Sequence, residues 1–194
     1  DGNTSTTDSL GVVTSRYSEK GLTMSRSIGS VAKMSTQFQN GLPVSITDGK
    51  FNQTKLEYDS NGNITKVISP GFDGFATTYA YDATGNLVSV SDPFGKTGTF
   101  VYDEKGNLVK STSPMGKEKT YTYDARGLMT AFKDEKDRTS LFTYDSFGNL
   151  KTTKDPAGGV TTMDYDALGF NMVSQTDPLG RVTRMAYDHN GRIT

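Results

Sequence analysis

Tyr102-Asp103-Glu104-Lys105-Gly106-Asn107-Leu108 is the stretch on which the fold turns. An Asp followed three residues later by Gly, just after an alternating run that ends in Tyr, is a reverse-turn signal. The Asp side chain accepts a hydrogen bond from the backbone two residues on, and Gly takes the left-handed conformation at little cost. The run before it, Thr99-Phe100-Val101-Tyr102, places Phe100 and Tyr102 on one face of a strand. After the turn, Leu108 opens a second strand.

The same phrase recurs along the chain. Tyr-Asp occurs at Tyr58-Asp59, Tyr81-Asp82, Tyr102-Asp103, Tyr123-Asp124, Tyr144-Asp145, Tyr165-Asp166 and Tyr187-Asp188, with spacings of 23, 21, 21, 21, 21 and 22 residues. Each Tyr is followed four residues later by Gly: Gly62, Gly85, Gly106, Gly127, Gly148, Gly169 and Gly191. Tyr17 with Gly21 keeps the phase, and Phe38 with Gly41 is a more worn copy. About half a period on lies a second turn: Asp92-Pro93-Phe94-Gly95, Ser113-Pro114-Met115-Gly116, Asp155-Pro156-Ala157-Gly158 and Asp177-Pro178-Leu179-Gly180. Pro presets φ at its second position. Asp8-Ser9-Leu10-Gly11 is the same turn without its proline, Asp134-Glu135-Lys136-Asp137 lacks the glycine, and Ser69-Pro70 is followed by an insertion at 71–74.

Two reversals per period leave two short strands between them, so the expected fold is all-β: a tandem array of antiparallel hairpins over residues 1–194, degenerate over 1–57 and regular over 58–194. About nine repeats give roughly 18 strands, and an open sheet of that size is expected to curl. Two residues before each Tyr stand Leu56, Tyr79, Phe100, Tyr121, Phe142, Met163 and Met185, giving one aromatic and apolar face. The opposite face carries Glu57, Ala80, Val101, Thr122, Thr143, Asp164 and Ala186, a mixed and wet surface. A parallel β-helix is the alternative, since its coils have a similar length, but it has no need of two reversals per period.

Composition fits such a thin body. Only 33% of the 194 residues are hydrophobic, too few for one dense core. The net charge of −1, with Lys and Arg scattered, excludes the basic stripe that nucleic acid requires. Zero cysteine removes disulfides and thiol chemistry. No apolar run is long enough to span a membrane. The first residue, Asp1, with no leader after it, is the expected start of a piece of a longer chain.

The turn residues Asp59, Gly62, Asp82, Gly85, Asp103, Gly106, Asp124, Gly127, Asp145, Gly148, Asp166 and Gly169 are expected to be structural. An Asp present in every unit is a turn cap, whereas a glycosidase needs one facing carboxylate pair. Asp59, Asn61 and Asn63 alternate as in calcium loops, but the downstream bidentate Glu is missing. His189 is the only histidine, so no catalytic residue is assigned, and no metal or cofactor. Tyr81, Tyr102, Tyr123 and Tyr144 form a candidate platform for sugar rings, although cross-strand packing alone accounts for strand aromatics. Asn3, Asn52 and Asn63 begin Asn-x-Ser/Thr sequons, which arise easily in a Ser/Thr-rich chain.

The pattern Tyr-Asp-x-x-Gly-Asn-Leu followed by Asp-Pro-x-Gly strongly resembles the RHS or YD repeat, over essentially the whole chain and most weakly before residue 50. That resemblance implies a bacterial, secreted or cell-surface protein. The repeats of this family build shells around toxin domains, and similar ones occur in insecticidal toxin complexes, wall-associated proteins and teneurins. The expected partners are adjacent repeats or an effector domain of a parent protein, and glycans for an adhesion module. Open sheet edges add the prospect of edge-to-edge self-association. No self-cleaving segment is evident, and Asp177-Pro178-Leu179-Gly180 sits in ordinary repeat phase.

Overall fold

A computed structural model describes the backbone of residues 3–8, 11–18, 21–28, 31–71 and 74–194, and side chains from residue 34 onward except at 72–73. The turn at Asp8–Gly11 and the insertion at 71–74 therefore lie partly outside the described residues, and so do the side chains of Asn3 and Tyr17. The chain divides into two compact units, Asp1–Gly98 and Thr99–Thr194.

The first unit contains β1 (Asn3–Asp8), β2 (Gly11–Ser18), β3 (Gly21–Ile28), β4 (Val31–Gln39), β5 (Leu42–Thr47), β6 (Gln53–Tyr58), β7 (Ile64–Ile68), β8 (Ala76–Tyr81) and β9 (Leu87–Ser91). Each pairs antiparallel with the next, from Asn3↔Arg16 through Tyr81↔Leu87. Most of β10 (Thr97–Tyr102) belongs to the second unit. There it is followed by β11 (Leu108–Thr112), β12 (Glu118–Tyr123), β13 (Met129–Lys133), β14 (Thr139–Tyr144), β15 (Leu150–Lys154), β16 (Val160–Tyr165), β17 (Met172–Thr176) and β18 (Val182–Arg184). These too pair antiparallel in chain order. The antiparallel register within each unit excludes the parallel β-helix, whose neighbouring strands run the same way.

Among the described residues no apolar side chain is buried, and the one buried polar side chain is Ser45. Strands that lead into the tyrosine turns alternate between half-buried and exposed positions, as in Thr139–Tyr144, where Phe142 and Tyr144 are half-buried and Leu141 and Thr143 exposed, while Ile64–Ile68, Leu87–Ser91 and Leu108–Thr112 are half-buried throughout. The aromatic face is thus the better covered one. Tyr121 and Phe132, directly opposite each other, bring their ring centroids to 5.4 Å. The other face is held by threonine pairs and exposed ion pairs, such as the hydroxyls of Thr143 and Thr152 at 2.6 Å and Lys66 with Glu57 at 3.4 Å. Exposed ion pairs of this kind contribute little. Cohesion must come from the backbone ladder and from what fastens its ends.

Candidate functional site: the tyrosine turn

In the turn after Tyr102, Gly106 N–H donates to the Asp103 carbonyl at 3.0 Å and Asp103 N–H to the Asn107 carbonyl at 2.9 Å. Gly106 has φ of 82°, the left-handed conformation that a side chain resists. Oδ1 of Asp103 accepts the N–H of Lys105 and that of Asn107, both at 2.9 Å, while Oδ2 accepts the Asn107 side-chain amide at 2.9 Å. The same three bonds close Asp59 with Asn63 and Asp82 with Asn86, and Asp145 is closed in the same way by Asn149. Where Leu128 replaces that Asn, Arg126 donates through Nε to Oδ2 of Asp124 at 2.9 Å. Each carboxylate is thus surrounded by donors of its own turn. At Asp59 the oxygens that a calcium ion would need already accept N–H groups of Asn61 and Asn63.

These donors favour the charged form. The Thr84 hydroxyl first, and then the Asn86 N–H, hold Asp82 at about 2. The Arg138 side chain does the same for Asp134, also at about 2. At Asp103 the Asn107 side chain and backbone lower the pKa.

In six of these turns the tyrosine that precedes the Asp reaches backwards. Tyr123 Oη donates to the Leu108 carbonyl at 2.8 Å, and Tyr144 Oη to the Met129 carbonyl at 2.9 Å. Equivalent bonds join Tyr58 to Pro43, Tyr81 to Ile64, Tyr165 to Leu150 and Tyr187 to Met172. From Tyr81 onward the acceptor is the first residue of the strand that leaves the previous tyrosine turn, and for Tyr58 it is the second residue of β5, after the Asn40-Gly41 turn. A shift in register explains why this carbonyl needs a partner. Tyr102 pairs with Leu108 but Val101 with Lys110, so Val109 is extra. Such a bulge bends its strand away from the neighbour. The β11–β12 ladder runs from Thr112↔Glu118 to Lys110↔Thr120 and stops two residues short of Leu108. The tyrosine hydroxyl spans the gap and satisfies the carbonyl, which half-buried backbone requires. The Tyr123 phenol is raised above its usual pKa by burial, then by Tyr121 and Asp103, so it remains a neutral donor near neutral pH.

The turns are also linked tip to tip. Lys105 Nζ donates to the Ala125 carbonyl at 2.9 Å, Arg126 Nη1 to the Asp145 carbonyl at 2.7 Å and the Asn149 amide to the Gly169 carbonyl at 2.8 Å. Sequence reasoning placed the Asp and Gly residues in these turns but missed the hydroxyl bond, the in-strand bulge and a further turn at Asp48. There Oδ1 accepts Lys50 N–H at 2.8 Å and Asn52 N–H at 2.9 Å, and Phe51 holds φ of 65°. The worn copy at Phe38 differs: Asn40 and Gly41, at φ of 51° and 81°, form a two-residue turn between Gln39 and Leu42.

Between β11 and β12 the same divergence opens a shallow groove of about 640 Å³, lined by Val109, Tyr121, Tyr123, Glu104 and Lys105 among others. Of the candidate platform residues it includes Tyr123, while Tyr81 lies in the other unit.

Residues 13–194 match the family model described as Teneurin YD-shell. The chain belongs to the YD-shell family. A search of curated protein sequences finds no match. Among solved structures, this YD-shell segment is similar to the crystal structure of TcdB2-TccC3-TEV, with a TM-score of 0.69 and 17% identity over 97% of this chain and 12% of that one. It is likewise similar to TcdB2-TccC3 without its hypervariable C-terminal region, with a TM-score of 0.66 and 17% identity over 98% of this chain and 12% of that one. A third is the Tc holotoxin pore of Photorhabdus luminescens, with a TM-score of 0.65 and 16% identity over 95% of this chain and 12% of that one. The YD-shell segment thus spans about an eighth of the chains that share its fold.

Proposed function

We propose that these residues are a segment of a β-sheet wall, one continuous array of about nine repeats that in a longer parent protein helps enclose an effector domain. The observation that carries this reading is the tyrosine bond from one hairpin to the one before, within each unit, as at Tyr123 and Tyr144. It makes the sheet cohere sideways with no buried apolar core among the described residues. The work is mechanical, with no catalytic step. The turn residues from Asp59 and Gly62 to Asp166 and Gly169 close the hairpins, and the setting is a secreted or surface-displayed bacterial protein. Adjacent repeats and the enclosed domain are its partners. The test is protease protection of a reporter domain carried inside a parent chain that includes these repeats. Tyr123→Phe with Tyr144→Phe is expected to expose the reporter. A reporter cut equally fast with the repeats intact would overturn the enclosure.

The groove at Tyr121 and Tyr123 favours a second reading, an adhesion module that binds glycans or a partner surface. A half-buried aromatic floor beside the Glu104 carboxylate suits a sugar ring. Reproducible glycan-array binding, lost in Tyr121→Ala but kept in Tyr79→Ala, would support it. Silence across the array would leave the wall alone.

A further inference from the structure

Asn-Gly pairs stand at three turns, Asn40-Gly41, Asn61-Gly62 and Asn190-Gly191. Asparagine before glycine is chemically labile, because glycine leaves its own backbone nitrogen uncrowded. That nitrogen can attack the asparagine amide carbon and close a five-membered ring. The fold treats the three pairs differently. Asn61 N–H donates to Asp59 Oδ1 at 2.9 Å, and Gly62 N–H to the Asp59 carbonyl at 3.2 Å. Asn190 N–H donates to Asp188 Oδ1 at 2.9 Å, and Gly191 N–H to the Asp188 carbonyl at 3.0 Å. Both turns hold the attacking nitrogen by its own proton and fix the peptide on either side of the asparagine. The remaining pair has no such guard. Phe38 stands three residues before Gly41, where Asp59 and Asp188 stand before their glycines. The chain instead folds back in two residues, with Gln39 paired to Leu42. Asn40 and Gly41 are both exposed, and nothing lies within 4 Å of where a Gly41 Cβ would stand. Among the described residues Gly41 N–H meets no backbone or side-chain acceptor.

We propose that Asn40-Gly41 is a site of spontaneous covalent modification, where the chain deamidates and acquires an isoaspartyl residue as it ages. Hydroxide takes the Gly41 amide proton, and the nitrogen bonds to Asn40 Cγ. The Cγ–Nδ2 bond breaks and ammonia leaves. Water then opens the succinimide at one of its two carbonyls, giving aspartate or isoaspartate. The turn is built to reach the ring. Two-residue hairpin loops take type I′ or type II′ form, and both need positive φ at the first residue. Asn40 already holds φ of 51°. Only the peptide between Asn40 and Gly41 has to rotate, and glycine accepts φ of either sign. The II′ form has the negative ψ that ring closure on an L-residue needs. The same rotation at Asn61 or Asn190 would first break the bond from the glycine N–H. Modification has a structural consequence. The isoaspartyl product adds a methylene to the backbone of the loop that holds Gln39 opposite Leu42. Next to Leu42 stands Pro43, whose carbonyl accepts the Tyr58 hydroxyl at 2.7 Å, so the strain falls beside the bond to the next hairpin.

The test incubates the longer parent chain that carries these repeats, folded, at neutral and mildly alkaline pH. Peptide mass spectrometry follows the amide-to-acid conversion at residues 40, 61 and 190. Enzymatic methylation of isoaspartyl carboxyls, localised by fragmentation, identifies the isomer. Asn40 is expected to convert at least about 10-fold faster than Asn61 and Asn190, the rate equivalent of one broken hydrogen bond. Its rate should rise with pH, since the attacking species is the deprotonated amide. In the urea-unfolded parent the three rates should converge. An Asn40 that keeps its amide, or that converts no faster than the other two in the folded chain, overturns the proposal. So does a lead for Asn40 that persists in urea, which would assign its lability to local sequence and not to the unguarded turn.

Discussion

At the scale of the residue, the informative contrast is between two positions on the same strand face. Two residues before each turn the chain uses Leu56, Tyr79, Phe100, Tyr121, Phe142 and Met163 interchangeably, as a packing position permits. At the turn itself it uses Tyr at 58, 81, 102, 123, 144, 165 and 187. A hydroxyl kept at all seven of these positions was the legible sign of a hydrogen bond, although its acceptor was not. The acceptor carbonyl becomes available through a bulge, which depends on how three strands meet. Tyr144→Phe should cost about 0.5–1.5 kcal/mol in urea denaturation, since it leaves the Met129 carbonyl without this donor. A loss as small as that of an exposed substitution such as Thr143→Ser would mean that the bond contributes nothing. Phe51 gives the opposite case. A bulky residue at φ of 65° is strained, and its side chain is 75% exposed, so little burial compensates. Phe51→Gly is expected to stabilise by about 1 kcal/mol, measured in the same way.

At the scale of the element, the Asp-closed turn is one device used at both ends of the strands. Sequence reading found it wherever Pro or Gly marked the fold-back and overlooked Asp48, whose turn has Gly49 at its second position and Phe51 at its fourth. The usable sign was Asn52, four residues after the Asp like Asn63, Asn86, Asn107 and Asn149. The shared chemistry gives a shared response to acid. Asp82 and Asp134 are lowered from 3.8 to about 2 by donors that bind the carboxylate and not the acid. A carboxyl depressed in the folded state lends stability that is fully present above its unfolded pKa and is lost as pH falls through the folded one. Denaturation midpoints should therefore be level from pH 7 to about 5, then decline between about 4 and 2. Asp134→Asn should flatten part of that decline. An unchanged slope in this variant would show that the Arg138 contact does not bias the charge.

At the scale of the whole molecule, repetition sets how damage spreads. Contacts between strands follow chain order, as in β14 with β15 and β15 with β16, and among the described residues no buried apolar side chain ties distant repeats together. Stability of this kind is close to a sum of nearest-neighbour terms, so local opening should stay local. Gly148 makes the test sharp. Its φ of 92° excludes a β-branched residue, and the Leu128 side chain of the preceding turn lies 3.7 Å from where a Cβ would stand. Gly148→Val should thus break its own turn and loosen the tip before it. Amide hydrogen exchange is expected to accelerate in β14 and β15, and by a smaller factor in β13 and β16, because Tyr144 and Tyr165 fasten this hairpin on either side. Amides of β10 and β11, in the hairpin before that loosened one, should keep their wild-type rates. Acceleration spread evenly over all of these strands would mean that the second unit opens as one cooperative block, and the tyrosine bonds would then be features of a single fold and not links between separable repeats.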